Sequence, residues 1–261
     1  MKHHNFSVVI VLLFFSSLYA CSPTPVKMAS PTGESVQEPS NTPEPATPTT
    51  APTVAATKTS KPTIPASPTI VPTSESAAME KLINQLYEKG TISSTDGAYH
   101  RLDDFQKEWA QLYYYQWWYT DYSPSNFVIQ ADLEWESASK TANLGDSGCG
   151  FVYHTEDNQN HHATFLMMDG KVQTYRSLNN NWTQMKGGYA GKFNTPSDKA
   201  HMILIVDNQI ITVIVNNKEV VHFEDKKLTG GKLGLTLASG TNKDFGTRCK
   251  MTNIELWELP E

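Results

Sequence analysis

The spacing of apolar residues changes character three times along the chain. Val8 to Phe15 is an unbroken apolar run, extended more weakly to Ala20. Residues 22–75 show no apolar period. Met79, Leu82, Ile83, Leu86 and Tyr87 then fall at i, i+3, i+4, i+7 and i+8, the spacing of one helix face. Ser74 or Ser76 can cap that helix and Gly90 is placed to end it, so it should lay one apolar stripe on the rest of the domain. After Gly90 the period drops to two. Within Asn126–Ser137, Phe127, Ile129, Ala131, Leu133 and Trp135 share one face, and Gln130, Asp132, Glu134 and Glu136 share the other. That alternation predicts a half-buried antiparallel strand.

Hairpins should follow. Thr164–Met168 and Lys171–Arg176 flank Asp169-Gly170, a strong two-residue turn signal. His201–Val206 and Gln209–Val215 flank Asp207-Asn208, and Glu219–Phe223 follows Asn216-Asn217. Lys232–Ser239 turns Leu233, Leu235 and Leu237 to one side, and Cys249–Leu259 supplies a closing strand. Many short strands at regular spacing after one short helix predict an all-β sandwich over residues 76–261.

Composition sharpens the division. Of the 15 prolines only Pro124, Pro196 and Pro260 lie beyond residue 75, and all 6 tryptophans lie beyond residue 100. The Pro/Thr-rich segment 21–75 lacks the apolar surface to offset its ordering entropy and reads as a disordered tether. Proline biases it towards extended geometry at about 3.1 Å per residue, a reach on the order of 150 Å. The chain carries 21 Lys and Arg against 27 Asp and Glu, a net charge of −6 without a basic stripe, which speaks against nucleic acid as a partner.

The apolar run near the start is shorter than the roughly 20 residues of a membrane-spanning helix, and residues 1–20 fit a secretory signal. The sequence Leu18-Tyr19-Ala20-Cys21 resembles the bacterial lipobox. That resemblance implies lipidation of Cys21, a membrane partner reached through the lipid, and a place on the extracytoplasmic side of the cell envelope. The alternative is an ordinary signal peptide cut after Ala20.

The stretch MILIVDNQIITVIVNNKEVVHFEDKKLTGGKLGLTLASG, together with NFVIQADLEWES, SGCGFVYHTEDN and FLMMDGKV upstream, is similar to the concanavalin A-like lectin/glucanase superfamily. The similarity is to its laminin-G-like and 3-keto-disaccharide-hydrolase-like members. It implies a jelly roll of two curved antiparallel sheets that binds sugar on the concave face or the rim loops. It does not specify an activity, because lectins, glycosidases and passive domains share this fold.

Cys149 and Cys249 are the two cysteines left after Cys21, and in an exported chain an even pair reads as a disulfide, against the alternative of two separate buried thiols. Asp132, Glu134 and Glu136 project from one strand face at a spacing open to glycoside hydrolysis. Glu134 and Glu136 are the pair to test if the domain is an enzyme; a solvated polar face is the plainer account. Asp-x-Glu-x-Glu also departs from the Glu-x-Asp-x-Glu core of the laminarinase-like members. His154, Glu156, Asp157, His161 and His162 cluster after a strand, but no full ligand pattern is present, so neither a metal nor a cofactor is expected. In Tyr113–Tyr119, alternation puts Tyr113, Tyr115, Trp117 and Tyr119 on one face. An exposed row of such rings would stack on sugar faces; the alternative is that they pack in the core. Trp182, in the polar stretch NNNWTQ read as a loop, is a second ring candidate.

Three functions therefore stand open. The first is a tethered surface module that binds a glycan or cell-wall polysaccharide without breaking a bond. The second is a glycosidase-like enzyme, and the third is a structural or adhesion domain.

Overall fold

A computed structural model describes residues 76–261; the expected signal segment, the Cys21 lipidation site and the tether lie outside the described residues. In chain order the elements are α1 (Ala77–Glu88), β1 (Ala98–Arg101), β2 (Phe105–Trp109), β3 (Tyr114–Tyr119), β4 (Asn126–Ser137), β5 (Gly148–Thr155), β6 (His161–Met167) and β7 (Lys171–Leu178). They continue with β8 (Asn181–Tyr189), β9 (Ser197–Asp207), β10 (Ile210–Val215), β11 (Lys218–Glu224), β12 (Lys232–Ser239) and β13 (Thr247–Leu259). The strands form two antiparallel sheets. Sheet I runs β1-β13-β4-β9-β10-β11, with β2 also on β13, and sheet II runs β3-β12-β5-β6-β7-β8. This is the all-β sandwich with one N-terminal helix that the periodicity predicts.

The two-residue period of β4 sorts its side chains as expected. Phe127, Ile129, Ala131, Leu133 and Trp135 join the inter-sheet core, where they meet Cys149, Phe151 and Tyr153 of β5 and Leu233, Leu235 and Leu237 of β12. Helix α1 explains why parts of sheet I are apolar on both faces. Met79, Ile83 and Leu86 pack on its outer face against Val128, Ile203, Ile205, Trp257 and Leu259. Each fully buried side chain of that size contributes about 1.5–3 kcal/mol before entropy. Tyr87, at the margin of the stripe, is half exposed. Gly90 ends the helical segment in the left-handed region at φ 70°.

Asparagine builds the tight turns, because it tolerates positive φ better than most side chains. Asn179-Asn180, Asn208-Gln209 and Asn216-Asn217 each carry two left-handed residues in succession, as a type I′ hairpin turn requires. The second of these lies one residue later than the sequence suggests. Asp207 remains in β9 because its carboxylate accepts hydrogen bonds from the Ser93 backbone N–H (2.6 Å) and hydroxyl (3.1 Å).

Two devices tie the sheets together. Cys149 of sheet II and Cys249 of sheet I form a disulfide through the core, closing a separation of 100 residues. Asp225, on the connection from β11 to β12, is buried against Arg176 at 2.7 Å and His162 at 3.1 Å. Burial alone would raise its pKa, but hydrogen bonds from His162, the Lys227 N–H and Arg176 hold it far below the usual carboxylate range.

Candidate functional site

Strand β3 is an edge strand, and its alternation sends Tyr115, Trp117 and Tyr119 to the outer face of sheet II. Opposite them on β12 stand Ala238, Thr236 and Gly234, and Gly150 and Gly148 continue the row on β5. With so little side chain beside them, the rings lie down across the sheet. The Tyr115 ring reaches Phe165 of β6 at 5.6 Å and Trp182 of β8 at 5.1 Å. Its Oη lies 2.5 Å from His161 Nε2. Burial, and secondarily His162, push the His161 pKa down to about 4, so its imidazole is neutral in ordinary buffers.

This differs from an open aromatic row. Tyr115 and Trp117 share the predicted face but are 0% and 6% exposed, whereas Tyr119 is 41% exposed. Tyr113 precedes the strand with φ 62°, so it belongs to the turn into β3 and not to the row. Trp182 lies in β8 and not in a loop, half-buried against Tyr115, His161 and Tyr175. The sequence hid β8 because an edge strand with few buried positions shows almost no alternation.

The accessible rings gather at the far end of β3. A cleft of about 300 Å³ is lined there by Trp118, Tyr119, Thr120, Asp121 and Tyr122, facing Arg101 at the end of β1, Phe105 at the start of β2, and Asp103 and Asp104 between them. The Trp118 ring rests edge-on against Phe105 at 5.3 Å, and Tyr122 lies 4.4 Å from the His100 ring. Lys232 places its ammonium 5.0 Å from the Tyr119 ring. Arg101 is committed elsewhere, to Glu255 at 3.1 Å and to the Asn253 side-chain Oδ1 at 2.9 Å. Asp103, Asp104 and Asp121 are exposed. Thr120 fixes the cleft wall by donating to the Leu233 carbonyl (3.0 Å) and accepting from the Tyr122 N–H (3.2 Å). Flat rings beside carboxylate acceptors suit a ligand with apolar faces and hydroxyl edges. Among the ring candidates read from the sequence, Tyr119 alone lines this cleft. Trp118 alternates to the opposite face from that row and packs partly against the core, yet it reaches the cleft because on an edge strand the inward side opens to solvent at the margin of the sandwich. The Asp103-Asp104 and Asp121 contribution depends on two connections meeting in space, which no local pattern announces.

The paired carboxylates lie elsewhere. Glu134 and Glu136 point outward from sheet I. Glu136 is ion-paired with Arg248 at 2.8 Å, and Arg248 also holds Glu108 at 2.6 Å. Glu134 stands in register between Lys250 and Lys199. It lines a separate depression of about 490 Å³ with Asp132 and His201, which shares no residue with the aromatic cleft. Asp132 is pulled low by hydrogen bonds from Asn253 and His201 that outweigh the upward push of partial burial. The carboxylate pair and the rings therefore do not line one groove.

The histidine cluster does not converge on one ligand position, although the His154 and His162 rings lie 5.5 Å apart. His161 faces outward beneath Tyr115, His162 turns into the core towards Asp225, and His154 Nε2 sits 2.9 Å from the Ser125 carbonyl oxygen. Asp157 accepts from the Gln159 and Asn160 N–H groups of its own loop. Among the described residues no group of three or more His, Cys, Asp and Glu is arranged to hold a metal ion.

No protein-family model matches the chain, and no curated protein matches it in sequence. Several solved structures are similar in part. The carbohydrate-binding module CBM66 from Bacillus subtilis aligns at 11% identity and TM-score 0.44, over 63% of this chain and 98% of that one. A fructosyltransferase from A. japonicus aligns at 14% identity and TM-score 0.45, over 64% of this chain but only 27% of the enzyme. Sheep galectin-11 aligns at 15% identity and TM-score 0.37, over 55% of this chain and 96% of its own. These likenesses are partial and of low identity; the two-sheet antiparallel sandwich is established by the chain's own strand pairing.

Proposed function

We propose that this protein is a surface lipoprotein whose β-sandwich binds carbohydrate without cleaving it. The observation that carries the reading is the cleft beside Tyr119, where half-exposed rings and exposed carboxylates line one depression. The rings would cover the C–H faces of a sugar, and Asp103, Asp104 and Asp121 would accept its hydroxyls. The separation of Glu134 and Glu136 from this cleft, and the ion pair on Glu136, favour binding over hydrolysis. Cys21 would carry the lipid and residues 22–75 the reach away from the membrane.

The test is retention of the purified full-length protein on a panel of immobilised neutral polysaccharides: fructan, β-glucan, mannan and galactan. One polymer should bind, and Tyr119→Ala should weaken it about tenfold, equivalent to ~1.4 kcal/mol, with the circular dichroism spectrum unchanged. Silence across the panel, or full affinity in Tyr119→Ala, would refute the site. Release of reducing sugar that is lost in Glu134→Gln would restore the enzyme reading. The anchor has its own test: incorporation of a fatty-acid label should disappear in Cys21→Ser.

A further inference from the structure

Strand register sets two rows of side chains around the depression of about 490 Å³ on the outer face of sheet I. Lys250 of β13, Glu134 of β4 and Lys199 of β9 form one row. Thr252, Asp132 and His201 form the next, with Asn216 at its end. Helix α1 covers a different part of this face, over Val128, Ile203 and Trp257.

The second row is largely committed. Asp132 accepts from His201 Nδ1 (2.8 Å) and from Asn253 Nδ2 (2.8 Å), and Asn216 Oδ1 accepts from the His201 backbone N–H (2.9 Å). The first row is not. Glu134 stands in register between two lysines, yet among the described residues neither ammonium comes within ion-pair distance of a carboxylate; the lysines that do are Lys171 and Lys226. The neighbouring guanidinium groups are spent, Arg248 between Glu108 and Glu136 and Arg101 on Glu255. Lys199, Lys250 and Glu134 are all exposed. The depression therefore presents two unpaired ammonium groups and one unpaired carboxylate to solvent.

That combination selects a ligand. A strand spacing of about 4.8 Å sets the two lysine Cα atoms roughly 10 Å apart, and their flexible four-carbon stems let both heads converge on one anionic group. A simple anion would gain from the lysines but would be repelled by Glu134 and, behind it, Asp132. A neutral sugar would leave both ammonium groups unused. A ring that carries a carboxylate and hydroxyls satisfies all three groups, its carboxylate between Lys199 and Lys250 and a hydroxyl donating to Glu134. We infer that this depression is a binding site for an acidic polysaccharide built of hexuronate units, separate from the Tyr119 cleft. It extends the carbohydrate reading to a second ligand class and does not depend on the first cleft, with which it shares no lining residue.

The probes are oligomers of galacturonate, glucuronate and mannuronate, titrated calorimetrically into the full-length protein. At least one should bind. Its methyl ester keeps every hydroxyl and loses the charge, and inorganic polyphosphate keeps charge and has no sugar hydroxyl; each should bind at least about tenfold more weakly. Lys199→Gln with Lys250→Gln should weaken the acidic oligomer about tenfold, with the circular dichroism spectrum unchanged, and Tyr119→Ala should leave it as in the wild type. Glu134→Ala separates recognition from charge attraction. Deleting a negative charge strengthens a purely electrostatic association, whereas deleting the hydroxyl acceptor should weaken hexuronate binding about fivefold. Tighter or unchanged binding in Glu134→Ala, equal affinity for polyphosphate, or silence of every acidic oligomer overturns this inference. Acidic oligomers that fail while a neutral polymer is held through Tyr119 leave the first cleft standing; a silent neutral panel with hexuronate bound removes the first cleft and supports this site.

Discussion

Removing the disulfide is a quantitative test of how the sandwich is held together. Cys149 and Cys249 are both 0% exposed and join the two sheets across a separation of 100 residues. In the chain-entropy account, a closed loop of about that length removes roughly 4.7 kcal/mol of freedom from the unfolded chain. A Cys149→Ala, Cys249→Ala double variant keeps the core apolar and loses little packing, so its deficit should approach that figure. A domain of this size loses about 2–4 °C of Tm per kcal/mol, which gives a fall on the order of 10–20 °C. With a urea slope of about 2 kcal/mol/M, the midpoint should drop by roughly 2 M. The assay is equilibrium urea unfolding followed by tryptophan fluorescence, with Trp135 fully buried as the reporter. The oxidised wild type is compared with the double variant and with reduced wild type. A midpoint shift below about 0.5 M in both would refute the reasoning, because it would mean that the crosslink constrains little of the unfolded ensemble.

Two further outcomes are expected. His154 and His161 titrate near 6.5 when unfolded but at about 4 when folded, so the unfolded state takes up protons first. Stability should be complete above pH ~6.5 and fall as pH drops towards 4, by on the order of 3 kcal/mol per histidine; His161→Gln should recover part of the loss, and urea midpoints that do not change between neutral pH and pH ~4.5 would contradict it. Gly150→Ala should cost about 3 kcal/mol in thermal unfolding, because the new Cβ would lie 1.9 Å from the Thr164 carbonyl oxygen and 2.9 Å from the Phe165 Cα. A neutral result there would mean that β5 and β6 are not held in this register.

The sequence alone determined what local periodicity can encode. The alternation from Phe127 to Trp135 fixed which side of β4 enters the core, and the stripe Met79, Ile83, Leu86 fixed the buried face of α1. An even cysteine pair, read together with an expected export signal, pointed to the crosslink. Side-chain period and turn chemistry depend on near neighbours, so they are legible without a structure. Only the tertiary structure decided which rings are accessible. Tyr115 and Tyr119 share a strand face, yet the first is buried against Phe165 and Trp182 while the second borders a cleft. That difference comes from strands far apart in sequence: glycine and alanine on β5 and β12 allow the rings to lie flat, and the edge position of β3 opens Trp118 to the rim. The meeting of Asp103 and Asp104 with Tyr119, and the separation of Glu134 from all of them, follow from sheet order, which long-range pairing sets and no window of sequence contains.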